Sequence, residues 1–290
     1  MTAPGLRHRA LVLAAALLFS TGGAAIKWAG LTGWQIASGR SAVAAIALYL
    51  VMPEARRAWS WRLVPVAAAY AATLVTFALA NRLTTSADAI FLQATAPLYI
   101  LLLGPWLLKE RVTRADVVYM AVVLAGMAVF FLGSESAVAT APDPPKGNIL
   151  AAASGVCFAL VVVGLRWLSR GGKQDAGVAT VALGNVLAAL STLPMALPCA
   201  TIAGRDIAIL LYLGVVQIGL AYLCLTRGIG HVPAVESGTL LMLEPAMNPV
   251  WTWMVHGERP GGWALAGGMV IIFSTLVNTW RQSRARTAPA

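Results

Sequence analysis

Read for its apolar and polar positions, the chain is a succession of long hydrophobic runs separated by short polar connections. A helix that crosses a bilayer needs about 20 mostly apolar residues. Ten runs fit that length, near residues 10–28, 33–52, 63–81, 86–107, 115–133, 148–168, 177–197, 207–226, 233–255 and 262–280. Charges, prolines and glycines gather between them. The opening run has Arg7 and Arg9 ahead of it and small residues at Gly22 and Ala25, as a secretory signal does. A cleavable signal has an apolar core of roughly 7–15 residues. This run is longer and continues through Ile26 to Lys27 and Trp28, so it reads as a retained span. The segment 134–146 carries Pro142, Pro144 and Pro145, which cannot continue a helix. It divides the spans into five and five.

The pattern therefore predicts an all-α integral membrane protein of ten transmembrane helices. Residues 1–133 form one five-helix repeat, 134–146 an outer linker, and 147–290 a second repeat ending in a short basic tail. Composition agrees. Hydrophobic residues make up 59% and charged residues 11%, against roughly 45–50% and about 25% in soluble domains. Mean hydropathy is +0.77. The net charge of +10 would suggest nucleic acid in a soluble protein, but here the basic residues lie in clusters between apolar runs. Placed on ten spans with the N-terminus inside, 15 of the 21 Lys and Arg residues fall on cytoplasmic segments and four on outer ones. Lys27 and Arg40 fall within spans. The positive-inside rule predicts that bias and places both termini in the cytoplasm. Cys157, Cys199 and Cys224 are widely spaced among apolar neighbours and suggest packing, not a metal or redox site.

The chain also repeats itself. At an offset of 148, Leu92 falls on Leu240, Pro97 on Pro245, Asp88 on Glu236, and Glu110-Arg111 on Glu258-Arg259. A weaker match sets Gly39-Arg40 on Gly184-Asn185. Five is an odd number of spans, so the second copy must lie inverted. Inverted repeats suit a carrier, because exchanging two packings between the copies opens a central site to each face in turn.

Several of these residues also carry a family resemblance. They are Phe19-Ser-Thr-Gly-Gly-Ala-Ala-Ile-Lys27, Gly39-Arg-Ser-Ala-Val-Ala-Ala45, Ala94-Thr-Ala-Pro97 with Leu108-Lys-Glu-Arg111, and Leu243-Glu-Pro245 with Gly257-Glu-Arg-Pro260. The chain resembles the drug/metabolite transporter superfamily, and within it the ten-span EamA type. The resemblance implies an exporter of amino acids or other metabolites in the bacterial inner membrane. Its motifs concern fold and not cargo.

Ionisable groups within spans point to function. Glu244, followed by helix-breaking Pro245, is placed to bind a substrate amine or to titrate; a structural hydrogen bond is an equal reading. Arg40 is suited to hold a carboxylate by paired hydrogen bonds, or to pair with Asp88 or another acid. Lys27 lies near a span end and reads chiefly as a snorkelling lysine, with substrate binding the second reading. Gln93, Asn185, Thr239 and Tyr99 are uncharged binding candidates; the first two also suit helix-to-helix hydrogen bonds. Asp88 and Glu236, with Pro97 and Pro245, are gating candidates, and each acid also suits the first turn of a helix.

Enzymatic alternatives lack their motifs: there is no H-E-x-x-H, G-x-S-x-G or phosphate loop. Too few polar residues recur along any span for a channel. No cofactor or metal is expected. The expected partners are a small-molecule substrate and the bilayer, with no nucleic acid, in a monomer or weak homodimer. The reading is a secondary exporter of small amphipathic metabolites, foremost amino acids including aromatic ones, working by alternating access. Nucleosides or drug-like compounds are the alternative cargo.

Overall fold

The structure is a computed structural model and describes residues 3–57, 59–107, 112–132, 138–169, 176–197, 202–229, 231–232 and 240–287. Helices α1 (Ala3–Ser20) and α2 (Gly22–Trp28) form the first expected span, interrupted at Thr21. Helix α3 (Gly33–Val51) is the second, and a short α4 (Pro53–Arg57) leads to α5 (Leu63–Leu83), the third. The fourth is split into α6 (Ser86–Gln93) and α7 (Ala96–Leu107). Helices α8 (Arg114–Leu132), α9 (Pro144–Ser169) and α10 (Ala176–Ala196) follow. The eighth consists of α11 (Gly204–Leu211), a π-helix (Tyr212–Leu220) and α12 (Ala221–Ile229). Helices α13 (Leu243–His256) and α14 (Gly262–Thr287) end the described chain.

Among the described residues, seven segments are long and apolar enough to cross a membrane by themselves: Leu6–Trp28, Gly33–Val51, Leu63–Leu83, Ser86–Trp106, Pro144–Leu165, Ala176–Ala196 and Gly204–Gly228. Gly262–Asn278 is a shorter apolar helix. The protein is an all-α, multi-pass membrane protein. Helices are the required solution, because hydrocarbon offers backbone groups no partner.

Local sequence sets the helix ends. Thr32 and Gln35 form a capping box at the start of α3, each side chain accepting from the other's backbone N–H. Thr85 caps α6 by accepting from Asp88 N at 3.1 Å. Gly257, with φ +66°, closes α13 in the left-handed conformation that glycine adopts without strain. Helix α9 begins at Pro144, so two of the prolines expected in a non-helical linker belong to its first turn. Proline is tolerated there because that N–H would have no intrahelical acceptor.

Packing interleaves residues from before and after the linker. Helix α5 lies against α9 and α10, α3 against α10 and the π-helix, and α1 against α12 and α13. Helices α8 and α14 pair with one another at the periphery. The end of the bundle where α1 starts is called proximal here; His8 and His231 stack there at 4.1 Å between ring centroids. The opposite, distal end brings together Lys27, Thr84, Thr140 and Glu258.

Small residues set the close crossings. A Cβ on Gly214 would lie 2.5 Å from Val43 Cβ and 2.8 Å from the Arg40 carbonyl oxygen. The second neighbour is backbone and cannot swing aside. Gly214→Val should therefore destabilise the bundle by about 1–3 kcal/mol, visible as a lowered thermal midpoint in detergent. Gly177→Val, where a Cβ meets nothing within 4 Å, should leave that midpoint nearly unchanged.

Candidate substrate site

A cavity of about 300 Å³ lies inside the bundle, where the fourth and ninth expected spans are interrupted. In the fourth, the chain turns at Ala94 and Thr95 between α6 and α7. Thr95 Oγ1 donates to the Leu92 carbonyl at 2.6 Å, beside the Thr95 N–H that the same carbonyl accepts at 3.3 Å. In the ninth, Met242 interrupts the helix just before Glu244 and Pro245. Ala94 and Met242 stand 148 residues apart, the offset of the sequence repeat, and share nearly the same backbone angles (φ −64°, ψ −5° and φ −66°, ψ −9°). Proline denies the preceding turn a backbone donor, and both Pro97 and Pro245 line the cavity.

The wall is mainly apolar and aromatic, with Phe19, Tyr70, Phe77, Phe158 and Tyr222. Tyr222 meets Phe19 edge-on at 5.1 Å and Tyr70 at 6.0 Å. Among the described residues, Thr73 and four longer polar side chains also line the cavity: Arg40, Gln93, Gln217 and Glu244. Arg40 is only 2% exposed. Its Nη2 donates to the Leu74 carbonyl at 2.7 Å, and its Nε has no hydrogen-bond partner. No described carboxylate pairs with it. The expected alternative partner, Asp88, is instead engaged by Thr84 Oγ1 at 3.0 Å in the first turn of α6. Arg40 and Glu244 thus share one cavity without forming an ion pair. Gln93 donates to Ser154 Oγ at 2.7 Å, and Ser154 in turn donates to the Thr73 carbonyl at 3.2 Å.

The remaining candidates lie elsewhere. Tyr99 packs against the apolar cluster around Leu92, Leu98 and Val123 and does not line the cavity. Asn185 is fully buried in α10, donating to the Val181 carbonyl at 2.9 Å, and also stays out of the lining. Thr239 and Glu236 fall outside the described residues.

Lys27 departs most from expectation. It does not snorkel: its side chain is 3% exposed and pairs with Glu258 at 2.8 Å. Its ammonium also donates to the carbonyls of Thr84, at 2.9 Å, and Thr140. All three of its donors are committed. The Glu258 side chain is also 3% exposed and accepts from Ser86 N at 2.6 Å. The pair links the two sides of the linker at the distal end. Beneath it, Ser86 Oγ donates to Asn81 Oδ1 at 2.9 Å.

Sequence reading also passed over Gln217. The π-helix sets it against Gly22, where its Nε2 donates to the Phe19 carbonyl at 3.3 Å. An isolated amide in a long apolar run is a usable signal, since an unpaired amide in lipid is costly.

Comparison with known proteins now decides the family. The model of the EamA-like transporter family matches residues 9–132 and 145–280. The chain belongs to the EamA-like transporter family. Among curated relatives, the pseudopaline exporter CntI of Pseudomonas aeruginosa strain UCBPP-PA14 is 28% identical over 278 residues, covering 92% of this chain and 93% of its own. The same exporter from strain PAO1 gives the same identity and coverage. A solved crystal structure superposes with a TM-score of 0.62 at 20% identity, covering 97% of this chain and 99% of its own. At that identity it shows that the fold is shared. As an EamA-type transporter, the protein acts on small molecules in a membrane.

The distal ion pair gives a stability test. Removing one member of a buried pair strands the other charge, at about 3–5 kcal/mol. Lys27→Met should lower the thermal midpoint sharply, and the double change Lys27→Met with Glu258→Gln should recover part of the loss. A double-mutant cycle on thermal unfolding reads the coupling.

Proposed function

We propose that this transporter exports small zwitterionic, amphipathic metabolites, with amino acids foremost and aromatic ones among them, across a bacterial inner membrane. One observation carries the reading: Arg40 is a buried guanidinium with no described acid beside it and a free Nε, on the wall of a cavity that also holds Glu244. A buried cation is costly without an anion, and a substrate carboxylate supplies one by charge-assisted hydrogen bonds. Glu244 then receives the substrate amine, and the aromatic wall takes its apolar side chain. The volume falls at the small end of ligand pockets, roughly 300–1,000 Å³. The metabolite-exporter relatives support export over uptake.

The mechanism is alternating access in a ten-span bundle of two inverted five-helix repeats, 1–133 and 147–290, with both termini cytoplasmic and the distal end outward. Lys27 and Glu258 then close the outer side of the substrate cavity. The matching interruptions at Ala94 and Met242 support the repeat, because each supplies a bend at the same place in its copy. Asp88, tied to Thr84 at the distal end, belongs to the same closure. Glu236, its repeat mate, is proposed for the opposite gate on sequence alone.

Counterflow in proteoliposomes loaded with a panel of amino acids and nucleosides tests this. A saturable exchange of zwitterionic amino acids is expected. Arg40→Gln and Glu244→Gln should each reduce it about tenfold or more, the loss typical of a hydrogen bond to a charged group. Thermal unfolding confirms that each variant is folded. Wild-type rates in a folded Arg40→Gln protein would sink the reading.

A further inference from the structure

A second cavity lies apart from the substrate site. It is a groove of about 440 Å³ between α2, the α11–π-helix segment and α13, near the distal end. Ala24, Ala25, Ala208 and Ile209 line its length. The hydroxyls and indole N–H in its wall are already satisfied within the protein. Thr21 Oγ1 bonds the Leu18 carbonyl at 2.7 Å and Tyr212 OH at 2.8 Å, and Trp251 Nε1 donates to Ser20 Oγ at 2.9 Å. The groove therefore offers water little and hydrocarbon a continuous apolar bed. Its surroundings are apolar and exposed: Trp28 is 56% exposed, and Ile207, Leu211 and Val255 are also exposed.

Among the described residues, one charged side chain lines the groove. Arg205 opens the first turn of α11, with 61% of its side chain exposed. Its neighbour Asp206 approaches only to 3.9 Å, and Asp206 Oδ1 also accepts the Gly30 N–H at 2.9 Å. Much of the guanidinium thus remains open at the distal end. Trp28 stands beside it, as an aromatic ring does at headgroup level.

We propose that this groove is a binding site for an anionic phospholipid of the leaflet at the distal end. One acyl chain lies along Ala24 and Ala208, and the headgroup phosphate accepts hydrogen bonds from Arg205. Charge complementarity chooses the occupant: a purely apolar guest has no use for an arginine at that place, and a soluble anion has no use for the groove. The site is separate from the substrate cavity, so its test needs no transport assay.

Native mass spectrometry of the full-length protein in detergent tests this, with equimolar phosphatidylglycerol and phosphatidylcholine added. The wild type should retain one phosphatidylglycerol per chain in clear preference to phosphatidylcholine. Arg205→Gln should reduce that preference about tenfold, as loss of a charge-assisted contact does. Ala208→Trp fills the groove from its exposed side and should reduce retention of both lipids. Arg259→Gln, another distal arginine outside the groove lining, should behave as wild type. Thermal unfolding checks that each variant is folded; if Ala208→Trp is not, Arg205→Gln decides alone. Equal retention by wild type and Arg205→Gln overturns the proposal, as does a wild type with no preference between the lipids.

Discussion

The ammonium of Lys27 and the carboxylate of Glu258 lie 2.8 Å apart where neither reaches water, and the distal half of the bundle is arranged around that fact. Charges buried in this way persist only when their remaining hydrogen-bonding capacity is also used. Lys27 therefore draws the corner at Thr84 and the turn at Thr140 toward α2, while Glu258 takes the first N–H of α6. Four stretches of chain far apart in sequence are thus held to one point. A purely apolar contact would stabilise the bundle without specifying which ends meet. An ion pair whose three lysine donors each need an acceptor does specify it.

The interruptions of the fourth and ninth expected spans are the second organising feature. A straight helix occupies all its backbone groups and presents only side chains. Ala94, Thr95 and Met242 depart from that, and the substrate cavity lies where they do. Irregular backbone at membrane depth is tolerated where protein or a cavity surrounds it, so the bends and the cavity account for one another. The π-helix between α11 and α12 adds a third irregularity on the same wall and brings Gln217 to it. Such helices occur often at functional sites.

Within that cavity the polar inventory is small and pointed. Arg40 and Glu244 stand on the same wall without pairing, and aromatic side chains line it beside them. A ligand that satisfies both charges and presents an apolar body is the natural complement. The same reasoning separates this cavity from the lateral groove. There the polar wall groups bond within the protein, and among the described lining residues the only charge is Arg205.

The sequence by itself determined the all-α membrane class, most of the helical runs and the family, because each is written in hydrophobic length or local motif. It also singled out Arg40, Gln93, Glu244, Pro97 and Pro245, which line the cavity, because a polar or helix-breaking residue within an apolar run stands out without any tertiary knowledge. Only the tertiary structure decided their partners. Periodicity does not reveal that Lys27 meets Glu258, 231 positions away, or that Tyr99 and Asn185 turn from the cavity while Gln217 turns toward it. Those outcomes depend on the direction each side chain takes once the helices are packed, and on which neighbours come near enough to bond. That is a property of the assembled bundle and of no single span.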